Sequence, residues 1–158
     1  MGTRHHPEAE GEPYFVTFTT EARQAIFQRP DVATLFVEQL QRLRHELRFL
    51  LLAYVIMPDH VHLVLVPREA ANLARIMQFV KGRFSRAHHQ RFGGEGSLWQ
   101  RRYYETVVRG EGSLMRRIDY VEANPVQADL VDEPAAYAFS SAAHPNGDLE
   151  QYPERGLD

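Results

Sequence analysis

The chain has 158 residues, of which 44% are apolar and 25% are charged, with a formal net charge of −3 and no cysteine. This length suffices for one hydrophobic core, and the absence of cysteine excludes disulfides, thiolate zinc sites and cysteine nucleophiles. Residues 1–13 are polar and no apolar run approaches the length of a membrane span, so we expect a cytoplasmic protein without a membrane partner.

The first half of the chain predicts three strands and one helix. Residues 14–20 are aromatic and β-branched, which is typical of a strand. Apolar residues at helical spacing over 32–47 predict a helix of about five turns. Two buried strands follow over 49–57 and 60–67, and the connection between them is short enough for a hairpin or a bulge.

The second half of the chain predicts two more helices with a strand between them. An amphipathic pattern from Leu73 to Ala87 predicts a second helix that ends near Gly93. Residues 103–109 predict a fourth strand, and the apolar stripe from Leu114 to Val121 predicts a third helix. This order predicts an α+β fold: a ferredoxin-like βαββαβ antiparallel sheet with an added C-terminal helix. Such a sheet carries helices on one face, which leaves the other face for a ligand or a partner.

Two histidines lie on the third predicted strand. His60 and His62 are two residues apart, so their side chains share one face while Val61 and Leu63 point to the other. Two neutral imidazoles side by side can hold one divalent cation, although strand histidines are often bonded to backbone or carboxylate partners instead. The sequence leaves open whether His60 begins the strand or closes the turn before it.

The last predicted helix presents a second group of polar side chains. Arg117, Tyr120 and Asn124 are three and four residues apart, so a cation, a phenol and an amide lie on one face. Taken alone, Tyr120 would more often be a residue at the boundary of the core. Pro125 should end or kink the helix, because a residue before proline is biased away from helical angles. Asn124 could therefore be only a helix-ending residue.

Four segments together resemble the IS200-like tyrosine transposases, and within them the REP-associated branch of HUH single-strand DNA endonucleases. The segments are residues 60–62, 98–109, 119–121 and 124–131, and the resemblance covers 14–141. It implies a metal-dependent endonuclease and strand transferase that cleaves single-stranded DNA next to a hairpin, a REP-like palindrome, through a covalent 5′-phosphotyrosine intermediate. The enzyme would act as a monomer or a homodimer, which the sequence does not distinguish.

The same resemblance implies a role for four residues. Tyr120 would be the nucleophile, while His60, His62 and Asn124 would hold the metal. That metal would be Mg²⁺ or Mn²⁺, since imidazole suits manganese whereas magnesium prefers oxygen ligands. The chain departs from the family at Gln127 and Asp129, where related chains commonly carry a basic residue and a glycine. These departures concern DNA contact and the turn after the helix.

Basic residues are concentrated in the middle of the chain. Residues 68–117 contain eleven Lys and Arg against four Asp and Glu, whereas residues 118–158 contain one Arg against nine acids. A basic middle is compatible with phosphate binding, although each charge could equally be solvated surface. The candidate DNA-binding residues are Lys81, Arg83, Arg101, Arg102 and Arg117.

We expect three segments along the chain. Residues 1–13 would be a disordered leader, 14–131 the catalytic domain, and 132–158 an acidic, mostly extended tail. The negative charge of the tail suggests the hypothesis that it shields the basic region from DNA.

Two other classes of function remain open. A non-catalytic ferredoxin-like module would bind single-stranded nucleic acid on exposed aromatics, and its binding would ignore both EDTA and Tyr120→Phe. A zinc hydrolase would use the histidine pair with an acid such as Asp59, but no third ligand lies at a recognisable spacing. Of the aromatics, Trp99 is expected to anchor the core. Tyr103 and Tyr104 alternate across their strand, so one should face the core and the other the open face.

Overall fold

The computed structural model describes residues 11–145 and 147–148, and within them it confirms the predicted fold class. The helices and strands are β1 (Tyr14–Thr19), α1 (Pro30–Leu47), β2 (Leu50–Ile56), β3 (His60–Val66), α2 (Leu73–Phe92), β4 (Tyr104–Val107) and α3 (Glu111–Gln127). The strands form an antiparallel sheet in the order β2-β3-β1-β4. Most of the predicted leader and the last ten residues of the predicted tail lie outside the described residues. In the described part of the chain, no helix has the length and apolar character that a bilayer crossing requires.

The helices α1 and α2 pack on one face of the sheet. The α1 helix begins with Pro30, whose fixed φ suits a first helical position. The α2 helix begins after Asn72, whose side chain accepts the backbone N–H of Arg75 at 2.9 Å, and ends before Gly93 at φ 80°. Apolar side chains of both helices are buried against the sheet, so this layer holds the larger core.

Trp99 lies in an aromatic cluster of this helix layer. Its ring centroid is 4.9 Å from that of Phe18 and 5.7 Å from that of Phe84, and Phe27 and Phe36 complete the cluster. The indole N–H donates to the carbonyl of Lys81 at 3.2 Å, which satisfies the polar group of a buried ring. The prediction that Trp99 anchors the core is confirmed.

The third helix packs on the opposite face of the sheet, over β2 and β3. Leu114, Ile118 and Val121 are buried there with apolar residues of both strands. The expectation that this face stays free is therefore wrong in part, because the apolar stripe of α3 must itself be buried. Among the described residues, α3 leaves much of β4 uncovered: Tyr104 is 58% exposed, whereas Tyr103 packs against the core of the helix layer.

Pro125 is expected to end or kink the helix. The α3 helix continues through Pro125 to Gln127, so of these two alternatives the ending at Asn124 is wrong. The helix closes with Asp129 at φ 60°, while the N–H of Leu130 donates to the carbonyl of Pro125 at 2.9 Å. This is a Schellman closure, whose left-handed residue is usually glycine. Asp129 thus adopts a left-handed conformation that a glycine would take without strain.

The described part of the tail lies along the free edge of β2. The N–H of Ile56 donates to the carbonyl of Phe139 at 2.9 Å, and the N–H of Leu51 donates to the Asp148 carboxylate at 2.8 Å. The same carboxylate pairs with Arg44 of α1. The segment predicted as mostly extended thus contains two 3-10 turns and satisfies the backbone of an edge strand. It lies at the sheet edge opposite β4.

Candidate active site

The two histidines project from β3 toward the face that carries α3. His60 is the first residue of the strand, which answers the question left open by the sequence. His62 is directly opposite Thr17 of β1, and it is 6% exposed. The centroids of the two imidazole rings are 4.8 Å apart, so the shared face that the spacing predicts is present in the structure.

Each imidazole is fixed by a hydrogen bond at Nδ1. The Nδ1 atom of His60 is 2.7 Å from a carboxylate oxygen of Asp59, and the Nδ1 atom of His62 is 2.8 Å from the hydroxyl of Thr17. A carboxylate only accepts, so Nδ1 of His60 carries a proton, and Nε2 has a lone pair whenever the ring is in its neutral form. Among the described residues, neither Nε2 has a hydrogen-bond partner. Both rings therefore present Nε2 without a partner in the described part of the chain, and on His62 that atom has a lone pair when Nδ1 donates to the hydroxyl of Thr17.

The electrostatic environment keeps His62 neutral. Burial, the positive charge of His60 and that of Arg117 lower the pKa of His62 from 6.5 to about 4. Partial burial would raise the pKa of Asp59, but its hydrogen bond to His60 and the charges of His60 and Arg23 outweigh burial and lower it. Near neutral pH the pair therefore consists of a neutral imidazole and an imidazole bonded to an ionised carboxylate.

Tyr120 of α3 reaches the histidine pair from a distant part of the sequence. Its ring centroid is 5.7 Å from that of His62, and its side chain is 42% exposed. Packing of the apolar stripe of α3 on β2 and β3 sets this position. Tyr120 is thus not a core residue, and its phenol is accessible to a large substrate.

Phe15 of β1 contacts His62, Tyr120 and Arg117. Its ring stacks on His62 at 5.4 Å with an interplanar angle of 22°, and it meets the ring of Tyr120 edge-on at 6.0 Å. The guanidinium of Arg117 lies 4.3 Å from the Phe15 centroid and 5.9 Å from that of Tyr120. Such cation–π contacts hold a cation in place. Sequence reasoning missed Phe15 and Thr17, because only strand register shows that they neighbour His62.

Asn124 lies in α3 one turn after Tyr120 and is partly buried. Regular helical geometry places it on the same side of the helix as Tyr120. No group of three or more His, Asp or Glu side chains that could hold a metal is found in residues 11–145 and 147–148. A cation at His60 and His62 would therefore need ligands of another kind, such as an amide oxygen, water or phosphate.

The predicted DNA-binding residues fall into two groups. Lys81 and Arg83 lie on α2, on the far side of the sheet from Tyr120. The Lys81 ammonium donates to the carbonyl of Gln100 at 2.9 Å, and Arg83 pairs with Glu46 at 2.5 Å. Burial lowers the pKa of Lys81. Contact of these two residues with DNA stays a prediction, since the structure gives both of them partners within the helix layer.

The other three predicted residues lie nearer the site. Arg101 and Arg102 are exposed and are separated from β4 only by Tyr103, while Arg117 is partly buried beside Tyr120. DNA contact by these three residues also stays a prediction.

Known proteins are similar to this chain in sequence and in fold. The chain matches the family of IS200-like transposases over residues 12–124, which is more than half of its length. A protein of Haemophilus influenzae described as a REP-associated tyrosine transposase is 28% identical over 156 residues, covering 92% of this chain and 87% of the relative. A REP-associated tyrosine transposase of Escherichia coli is 26% identical over 115 residues, covering 68% of this chain and 67% of the relative.

Two solved structures have a similar fold. That of a REP-associated tyrosine transposase bound to a REP hairpin gives a TM-score of 0.72 at 21% identity, covering 94% of this chain and 82% of that chain. A protein of Deinococcus radiodurans described as a transposase gives a TM-score of 0.55 at 23% identity, covering 70% of this chain and 88% of that chain. The predicted resemblance and the predicted transposase-like enzyme class are thus confirmed, and the chain belongs to the family of IS200-like transposases.

Proposed function

We propose that this chain is a metal-dependent endonuclease and strand transferase that cleaves single-stranded DNA next to a hairpin through a covalent 5′-phosphotyrosine at Tyr120. The observation that carries the proposal is the 5.7 Å ring contact between Tyr120 and His62, which unites two motifs from distant parts of the chain. A phenol beside two imidazoles that share one face is a suitable arrangement for attack on a phosphodiester.

The reaction exchanges one phosphodiester bond for another. The phenol oxygen of Tyr120 forms a bond to phosphorus while the bond from phosphorus to the 3′ oxygen breaks. The phenol proton leaves to water, and the departing 3′ oxygen takes up a proton to become a free hydroxyl. The phosphate stays on the 5′ side of the downstream DNA, joined to the tyrosine. Because the ester keeps the bond energy, a second hydroxyl can later displace the tyrosine and rejoin the strand.

The residues present fit a divalent cation. His60 and His62 would hold it through Nε2, and Asn124 would add its amide oxygen, with Mg²⁺ or Mn²⁺ as the ion. When bound, such an ion polarises the scissile phosphate and offsets its charge. Asp59 and Thr17 hold the two rings in the orientation that frees Nε2.

Hairpin DNA is the proposed substrate class. The relatives are described as REP-associated, and the similar solved structure is of a protein bound to a REP hairpin. The 42% exposure of Tyr120 and the open β4 side of the sheet leave room for an extended strand. Arg117 beside Tyr120 supplies positive charge where a phosphate would lie.

Covalent capture tests this proposal. The full chain is incubated with a labelled stem-loop that has single-stranded flanks, in the presence of Mn²⁺ or of EDTA, and run on a denaturing gel. We expect a DNA adduct with Mn²⁺ and none with EDTA, with Tyr120→Phe or with His62→Ala. The matched control is His45→Ala, an exposed histidine of α1. DNA binding that is unaffected by EDTA and Tyr120→Phe, without an adduct, would favour the non-catalytic module instead.

A further inference from the structure

Tyr104 is a large aromatic side chain that the fold leaves open to solvent. It begins β4, pairs with Thr17 of β1, and is 58% exposed. Strand alternation places it on the same face as the histidine pair, and α3 does not cover it there. A strand with a ring this exposed has π surface available for a ligand.

The ring of Tyr104 adjoins the candidate active site through one shared neighbour. Its centroid is 6.2 Å from that of Phe15, with the two rings edge to face at 68°. The same Phe15 ring contacts His62 at 5.4 Å and Tyr120 at 6.0 Å. Tyr104 therefore continues the surface on which the nucleophile lies, toward the free edge of the sheet.

The ring is held in place before any ligand arrives. The hydroxyl of Tyr104 is 3.2 Å from the hydroxyl of Thr106, two residues further along the same strand face. Together with the Phe15 contact, this bond limits rotation of the side chain. A ligand that stacks on a fixed ring loses less entropy than one that must first order a mobile side chain.

Basic residues lie near Tyr104 in the sequence and next to its neighbour Phe15. Arg101 and Arg102 are exposed and are separated from the strand only by Tyr103, and the guanidinium of Arg117 lies 4.3 Å from the Phe15 centroid. An exposed π surface in a basic region matches the two parts of a nucleotide, a flat base and an anionic phosphate.

We infer that Tyr104 is a stacking platform for one unpaired base of the DNA strand, next to the bond that Tyr120 would cut. The inference rests on the proposed function for the identity of the strand, but it concerns binding and does not require that cleavage occurs. Base stacking on the ring would set which nucleotide lies beside the nucleophile and hence where the strand is cut.

Binding measurements on the full chain test this inference. The protein carries Tyr120→Phe so that bound DNA stays intact, and the probe is a labelled stem-loop with mixed-sequence single-stranded flanks. Each flank nucleotide is replaced in turn by an abasic site, and Kd is measured by fluorescence anisotropy. We expect Tyr104→Ala to raise Kd by roughly 5- to 150-fold. Tyr104→Trp should restore binding, because it restores a π face.

Combining each abasic site with Tyr104→Ala identifies the base that stacks on the ring. At one flank position, the abasic site should weaken binding by a similar factor when Tyr104 is present and have little effect in the Tyr104→Ala variant. The matched control is Leu130→Ala, which truncates another exposed apolar side chain, 45% exposed after α3. It should leave Kd unchanged. Melting temperatures of all variants report whether the fold is intact.

Three outcomes would overturn the inference. They are an unchanged Kd in Tyr104→Ala, an equal loss at every abasic position in both proteins, and Tyr104-dependent binding of the matching RNA that is tighter than that of DNA. The result is separable from the proposed function. If one abasic position weakens binding only when Tyr104 is present but the chain forms no covalent adduct, Tyr104 stacks on a base and the proposed nuclease activity is wrong. If the adduct forms without such a dependence, the nuclease activity stands and the stacking role is wrong.

Discussion

Both faces of the sheet carry clustered aromatic residues, but the surroundings of these residues differ between the two faces. On the helix-layer face, Trp99 is buried among other aromatic rings, and its polar atom is satisfied by a backbone carbonyl. On the α3 face, Phe15 is surrounded by ionisable and polar groups, among them His62, Tyr120 and Arg117. The comparison teaches that an aromatic cluster serves as a core where apolar rings close it, and as a site where titratable groups and solvent border it.

Truncation of the ring in the helix layer should produce the largest loss of stability. Trp99→Ala removes a buried ring that contacts several others, so we expect the free energy of unfolding to fall by about 3–5 kcal/mol. Urea denaturation followed by circular dichroism measures the change. If the fold tolerated the variant with less than about 1 kcal/mol of loss, the helix layer would not be the main source of stability.

Acid should destabilise the protein through the buried histidine on the α3 face. Because the pKa of His62 is lowered to about 4, the unfolded chain binds the proton first as pH falls below about 6.5. The free energy of unfolding should therefore decrease between these pH values, by up to about 3 kcal/mol from this group. Denaturation of the metal-free protein at several pH values measures it.

The His62→Gln variant isolates that contribution. Glutamine does not titrate, so the free energy of unfolding of this variant should fall less between about pH 6.5 and pH 4 than that of the parent protein, by up to about 3 kcal/mol. A pH dependence identical in both proteins would show that His62 is not buried in its neutral form.

Loss of the Thr17 hydroxyl, which orients His62, should impair adduct formation more than it lowers the free energy of unfolding. Thr17→Val keeps the shape of the side chain and removes its hydrogen bond to Nδ1. We expect the Mn²⁺ concentration that gives half-maximal adduct to rise by about 10- to 100-fold, because such partners align metal ligands. Excess Mn²⁺ should restore the adduct.

The matched control for Thr17 lies on the other layer. Thr34→Val makes the same change at an exposed position of α1 and should leave the Mn²⁺ requirement unchanged. If both variants raised the Mn²⁺ requirement equally, the hydrogen bond from Thr17 to His62 would not be what sets it.

The smallest expected effect concerns the end of α3. Asp129 has φ 60°, so Asp129→Gly relieves the strain of a left-handed side-chain residue. We expect the free energy of unfolding to rise by about 1 kcal/mol or less, with the adduct yield unchanged. Asp132→Gly, at a position outside the left-handed region, should give no such gain. A destabilised Asp129→Gly variant would show that the carboxylate itself stabilises the turn.

Much of the fold could be predicted from periodicity, and the candidate site residues could be named from their spacing and from the family resemblance. The two-residue spacing of His60 and His62 fixes their common face, and the helical spacing of Tyr120 and Asn124 fixes theirs. An apolar stripe shows that α3 is buried, but it does not say on which face of the sheet. That choice depends on the whole core, so the contact between His62 and Tyr120 required the structure.

Pairings between distant segments also escaped prediction. The partnership of Thr17 with His62 depends on the register of β1 against β3. The docking of the tail depends on hydrogen bonds between residues far apart in the sequence, such as that from the Leu51 N–H to the Asp148 carboxylate. Charge patterning grouped Lys81 with the DNA-binding candidates, whereas in the structure its ammonium is bonded to a carbonyl. Composition cannot distinguish a charge that has a partner from one that is free.

The most direct test of the account is to locate the covalent bond. Adduct trapped with Mn²⁺ and stem-loop DNA is digested with nuclease and trypsin, and the modified peptide is sequenced by mass spectrometry. We expect a nucleotide joined through its 5′ phosphate to the oxygen of Tyr120, and to no other tyrosine. A nucleotide on a different side chain, or full strand cleavage by Tyr120→Phe, would contradict it.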